Sequence, residues 1–181
     1  MYRFSYWEDQ PLANVMATPP IPNPAQHWYF NHVTTASGGQ AGVRWYEMIA
    51  PIRAVTISGL SLFQSGTFAP DSNYRWMGSL TRDKADDVAL GYSLASSTVY
   101  PSVAFTGRTV RDPLGQMEAE QVIVNGTGAQ VSTDNRWGDY SSMAIDASDG
   151  CTFWYAQEYY IVTASFDWST QLASMKFSNC N

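Results

Sequence analysis

SLTRDKADDVALGY, residues 79–92, lies without a gap on SMAIDASDGCTFWY, residues 142–155, at an offset of 63. Ser79 falls on Ser142, Asp83 on Asp146, Asp86 on Asp149 and Tyr92 on Tyr155. Upstream, Arg75-Trp76 and Arg136-Trp137 match at an offset of 61, so two extra residues precede the second serine. Each copy reads as an apolar alternation, an Asp-x-x-Asp bend and an aromatic run, that is, strand, turn, strand. Aspartate suits the bend because its short carboxylate accepts hydrogen bonds from nearby backbone N–H groups. A third copy rests on pattern more than identity: residues 28–46 fall on 88–106 at an offset of 60, with Ser37/Ser97 and Val43/Val103 identical and His32 at the position of Tyr92.

Extending the repeat predicts three units, about 1–70, 71–130 and 131–181, within one domain. Strands are expected at 2–8, 27–35, 42–49 and 61–68, then 76–82, 88–95, 102–109 and 120–125, then 138–145, 151–160 and 171–177. The third unit lacks a fourth strand. The proline-rich stretch 11–24 reads as a long loop, because proline lacks the donor that a sheet ladder needs. Four-stranded antiparallel units at a fixed period are the pattern of a β-propeller, and three units do not close a ring. The expectation is an all-β chain that forms a six-bladed ring as a homodimer, with an irregular β-sandwich as the alternative.

Composition agrees. The 181 residues include 7 Trp, 11 Tyr and 8 Phe beside 13 Gly and 9 Pro; 45% are apolar and only 14% charged, which excludes disorder. The net charge is -6, and the two lysines and eight arginines form no basic cluster, so no nucleic-acid partner is expected. No stretch has the length and apolarity of a membrane span, and Met1-Tyr2-Arg3-Phe4 begins no apolar signal region.

Residues 147–154, ASDGCTFW, resemble a degenerate Asp-box, the Ser-x-Asp-x-Gly-x-Thr-Trp turn of sialidase-like propellers. Asp149 and Trp154 fall on its Asp and Trp, whereas Ala147, Cys151 and Phe153 replace its Ser, Gly and Thr. GVRWYE (42–47), APDSNYRWMGS (69–79), ALGYSLASSTVYPS (89–102), NRWGDYSSMAID (135–146) and CTFWYAQEYY (151–160) are similar to the C-terminal blades of large secreted bacterial propeller proteins. The resemblance implies that Met1 is an internal start in a longer parent, and that the parent is extracellular or periplasmic. Cysteine usage fits export. Pairing of the last two strands would set Cys151 beside Cys180 as a disulfide, the alternative being two free thiols.

Arg75 and Arg136, each followed by a tryptophan (Trp76, Trp137), occupy matching positions ahead of innermost strands. Guanidinium forks there would hold a carboxylate, phosphate or sulfate, as the arginines of sialidase-like enzymes do; the alternative is stacking within each blade. Asp139 and Tyr140 follow directly. Asp139 is the candidate acid or base, Glu158 the second carboxylate and Tyr140 a donor or nucleophile, unless Asp139 only caps a turn. His32 is a candidate ligand contact or a packing residue. His27 lies five residues before it, on the opposite face of the strand, which argues against a shared metal. No cofactor is expected, calcium remaining open. The function expected is a hydrolase of glycosidic or phosphoester bonds. The alternatives are a non-catalytic carbohydrate- or protein-binding module and a structural fragment that self-associates.

Overall fold

The computed structural model describes residues 4–9, 25–52, 59–133 and 136–181. The first sheet is the antiparallel meander β1 (Phe4–Glu8), β2 (Ala25–Thr35), β3 (Ala41–Pro51) and β4 (Ser61–Phe68). The second is β5 (Tyr74–Arg82), β6 (Val88–Ala95), β7 (Ser102–Arg108) and β8 (Gln121–Val124). The third is β9 (Ser142–Ile145), β10 (Phe153–Tyr159) and β11 (Ser169–Met175). The all-β architecture and the grouping into four, four and three strands are therefore as the repeat predicts. The expected loop at 11–24 and residues 2–3 lie outside the described residues. The largest departure is β9, which begins at Ser142 instead of 138 because the preceding residues form a loop.

The repeated aspartates close equivalent hairpins. One carboxylate oxygen of Asp83 accepts the N–H groups of Ala85 (2.8 Å) and Asp87 (3.0 Å) between β5 and β6. Between β9 and β10, Asp146, the equivalent of Asp83, accepts the N–H of Ser148 (2.9 Å), and Asp149 accepts those of Cys151 (2.8 Å) and Thr152 (2.9 Å). Those two amides, with the Thr152 hydroxyl, hold the Asp149 carboxyl well below the usual carboxylate range.

The sheets stack face on face. Tyr29, Val43 and Trp45 of the first meet Leu80, Val88, Leu90, Tyr92 and Leu94 of the second in one core. Ala89 and Val103, on the opposite face of the second, meet Met143, Phe153 and Tyr155 of the third in another. Adding 63 to Leu80, Leu90 and Tyr92 yields Met143, Phe153 and Tyr155, so both interfaces use the same positions of the repeat. β6 is consequently buried on both faces along nearly its whole length.

Small residues on β6 make the second interface close. A Cβ built on Gly91 would stand 2.4 Å from the ring carbon bearing the Tyr155 hydroxyl, and Tyr155 is itself fully buried. Gly91→Ala is expected to cost about 1 to 3 kcal/mol through overpacking, read as a lowered urea midpoint at unchanged slope. An unchanged midpoint would show that the sheets can part at this point without penalty.

The disulfide between Cys151 and Cys180 is formed, with the Cα atoms 5.6 Å apart. Phe177, just ahead of Cys180, packs edge-on against Phe153, and Asn179 donates to Asp87 of the second sheet at 2.6 Å. The cross-link thus anchors a C-terminal tail that spans two sheets.

Candidate functional site

Antiparallel order puts residues 136–141, which lead into β9, and the loop 160–168, between β10 and β11, at one end of the third sheet, and residues 125–133 lie against them. Backbone bonds lace them together: Thr127 and Gly128 donate to the Tyr160 carbonyl, and Val131 donates to that of Ala164. Between these loops and the outward face of β10 opens a cavity of about 600 Å3, lined by Arg136, Asp139, Tyr140, Glu158, Phe166 and Trp168, among others.

The sequence candidates Arg136, Asp139, Tyr140 and Glu158 thus meet in one cavity. Arg136 and Asp139 form an ion pair, both largely exposed. Glu158 projects from β10 over the backbone at Gly138, whose N–H favours the charged form of its carboxylate. Gly138 has φ +27°, and a Cβ there would stand 2.6 Å from the Glu158 carboxyl carbon, so glycine is what admits the carboxylate. Desolvation, reinforced by the neighbouring Asp139 charge, pushes the Glu158 carboxyl above its ordinary value against the pull of that N–H. Tyr140, Phe166 and Trp168 expose broad aromatic surface around it.

Trp137 turns away from the cavity. Its indole N–H donates to Ser93, and its ring lies 5.5 Å from both Trp76 and Tyr160. The two repeat tryptophans therefore pack against each other across the sheet interface.

Arg75 does not share the place of Arg136. It is fully buried, with a two-pronged contact to Glu120 (2.7 and 3.1 Å) and a third bond to Asp71 (2.8 Å), and it lies over the Phe68 ring. Glu120 also accepts the Tyr92 hydroxyl at 2.8 Å. The two extra residues before Ser142 account for the difference: they lift Arg136 off the strand, whereas Arg75 stays within β5.

His32 is far from these groups in the fold, on the outward face of the first sheet. One ring nitrogen lies 3.0 Å from the Tyr46 hydroxyl and the other 3.0 Å from the Val33 carbonyl. With Arg44 and Tyr46 it lines a separate depression. His27 faces inward, as alternation predicts, and joins a network that sequence reading missed. Its ring nitrogens approach Glu47 (2.7 Å) and Asp9 (3.4 Å), Glu47 also accepts from Tyr29 and Gln64, and Arg82 pairs with Asp9 and Asp86. The available signal was the presence of Tyr29, Asn31 and Glu47 at inward positions of β2 and β3. Among the described residues, no group of three or more His, Cys, Asp or Glu side chains is placed to hold a metal ion.

No family model, no curated protein and no solved structure matches the chain. The cavity therefore stands on its own chemistry.

Proposed function

We propose that the chain is a segment of a propeller-type assembly whose cavity at the end of the third sheet binds a carbohydrate and hydrolyses a glycosidic bond. The observation that carries this reading is the meeting of Asp139 and Glu158 in one cavity beside exposed aromatic rings. Unequal environments fit the two carboxyls to unequal roles. Glu158, half-buried and raised above its ordinary value, is the proton donor to the departing glycosidic oxygen. Asp139, held by Arg136 at the exposed rim, takes a proton from the attacking water. The water oxygen bonds the anomeric carbon as the glycosidic carbon–oxygen bond breaks, and its second proton stays on the product hydroxyl. Phe166 and Trp168 offer faces on which a sugar ring stacks.

A glycoside is favoured over a phosphoester because the cavity's arginine is already paired with an aspartate, which leaves acidic groups to face the ligand. The disulfide supports an oxidising compartment.

Glu158→Gln keeps the shape and removes the proton, so turnover on a chromogenic glycoside panel is expected to fall roughly a hundredfold. Because the group is raised and acts as an acid, activity is present while it is protonated. It falls as pH rises through a value above the 4.5 of an ordinary glutamate. Wild-type protein without turnover on any member of the panel would overturn the hydrolase reading. The ion pair that occupies Asp139 favours a second reading, a non-catalytic glycan receptor. Saturable sugar binding that survives Glu158→Gln and is lost in Trp168→Ala would single it out.

A further inference from the structure

Each interface between sheets inside the chain joins the same two kinds of face. Tyr92 lies opposite Ala104 on the face turned to the first sheet, and Tyr155 lies opposite Ala173 on the face turned to the second. The equivalent pair in the first sheet is His32 opposite Arg44. The face that carries them, with Tyr6, Trp28, Phe30 and Tyr46, is left open among the described residues. Phe4 and Tyr6 on its edge strand are 68% and 46% exposed. At the other end of the stack the outward face of the third sheet is open as well, with Trp154 and Leu172 at 40% and 60%. Among the described residues the chain thus presents one unused face of each kind, both rich in apolar surface of the sort that monomers seldom expose.

Charge matches too. The depression on the first sheet lies where β2 runs into β3, and it holds His32 and Arg44. Arg44 donates to the hydroxyls of Ser65 (2.7 Å) and Thr67 (3.2 Å), and among the described residues no carboxylate pairs with it. The cavity on the third sheet lies at the corresponding end, where β10 runs into β11, and it holds Asp139 and Glu158.

We propose that the open face of the β1–β4 sheet seats on the open face of the β9–β11 sheet of a second copy of this chain, and reciprocally. Two copies then close on each other through two identical contacts related by a two-fold axis. The partner's Arg44 and the partner's His32 roof the cavity, so the site is complete only in the pair. The association does not depend on whether the cavity turns over a glycoside, and its test reads mass.

Light scattering behind size exclusion is expected to return twice the 20.1 kDa of the single chain. Arg44→Glu and Glu158→Lys each place like charges across both contacts, and each is expected to halve the mass. Mixed in equal amounts they restore complementary charge at both contacts, and the two-chain mass is expected to return. Leu172→Asp, at an exposed position that leaves the single chain folded, is also expected to yield the single-chain mass. A wild-type protein at the single-chain mass, or one whose mass climbs with concentration beyond two chains, would overturn the closed pair. So would a two-chain species that persists in Leu172→Asp, or folded charge variants whose mixture stays at the single-chain mass.

Discussion

Arg75→Met is expected to lower stability by about 3 to 5 kcal/mol, a large share of what a domain of this size possesses. The guanidinium is fully buried and makes three bonds to carboxylates, two of them to Glu120. Asp71 is half-exposed, and water can replace what it loses. Glu120 has little such recourse: it would keep the Tyr92 hydroxyl and a charge with no counterion. The cost therefore lies mainly in the group left behind, which a second substitution tests. Arg75→Met with Glu120→Leu removes both charges, and the double variant is expected to be more stable than Arg75→Met alone despite the orphaned Tyr92 hydroxyl. Urea midpoints of the four proteins settle it. Strictly additive losses would show that the two side chains do not act as a pair.

The second large effect is expected at the C-terminus. Cys151→Ser with Cys180→Ser opens a cross-link between residues 29 apart, and the chain-entropy relation assigns this about 3 to 4 kcal/mol. The tail adds to it, because Phe177 and Asn179 are held against Phe153 and Asp87 only while the tail is anchored. For a chain of this length the loss corresponds to a drop of about 10 °C in melting temperature. An equal melting temperature in the double-serine protein would mean that tail packing alone holds the end of the third sheet.

The strands were legible because their cause is local. Alternation and turn chemistry mark them, and the repeat of Ser79, Asp83 and Tyr92 at Ser142, Asp146 and Tyr155 fixes which hairpins correspond. The meeting of Arg136, Asp139 and Tyr140 was legible for the same reason, since they are neighbours in the chain. Glu158 joins them through hairpin register, which strand alternation conveys in part. The partnership of Arg75 with Glu120 spans 45 residues and two intervening strands, and nothing along the chain announces it. Sequence identity between Arg75 and Arg136 therefore suggested one role for two residues in opposite surroundings. The inward network of His27, Glu47 and Arg82 was hidden likewise, because its members come from three strands of two sheets.

The two-sided burial of β6 has a consequence for how the fold opens. Within a single chain, such as the Leu172→Asp protein, amides of the outer sheets can exchange with solvent when one interface parts, while those of Leu90 to Ser93 lie between two interfaces and are released only when both give way. Protection from hydrogen exchange should therefore peak at the centre of the sequence and decline toward both ends. The middle sheet, although it is one unit of a repeat, then serves as the cooperative heart that makes three separate meanders melt as one.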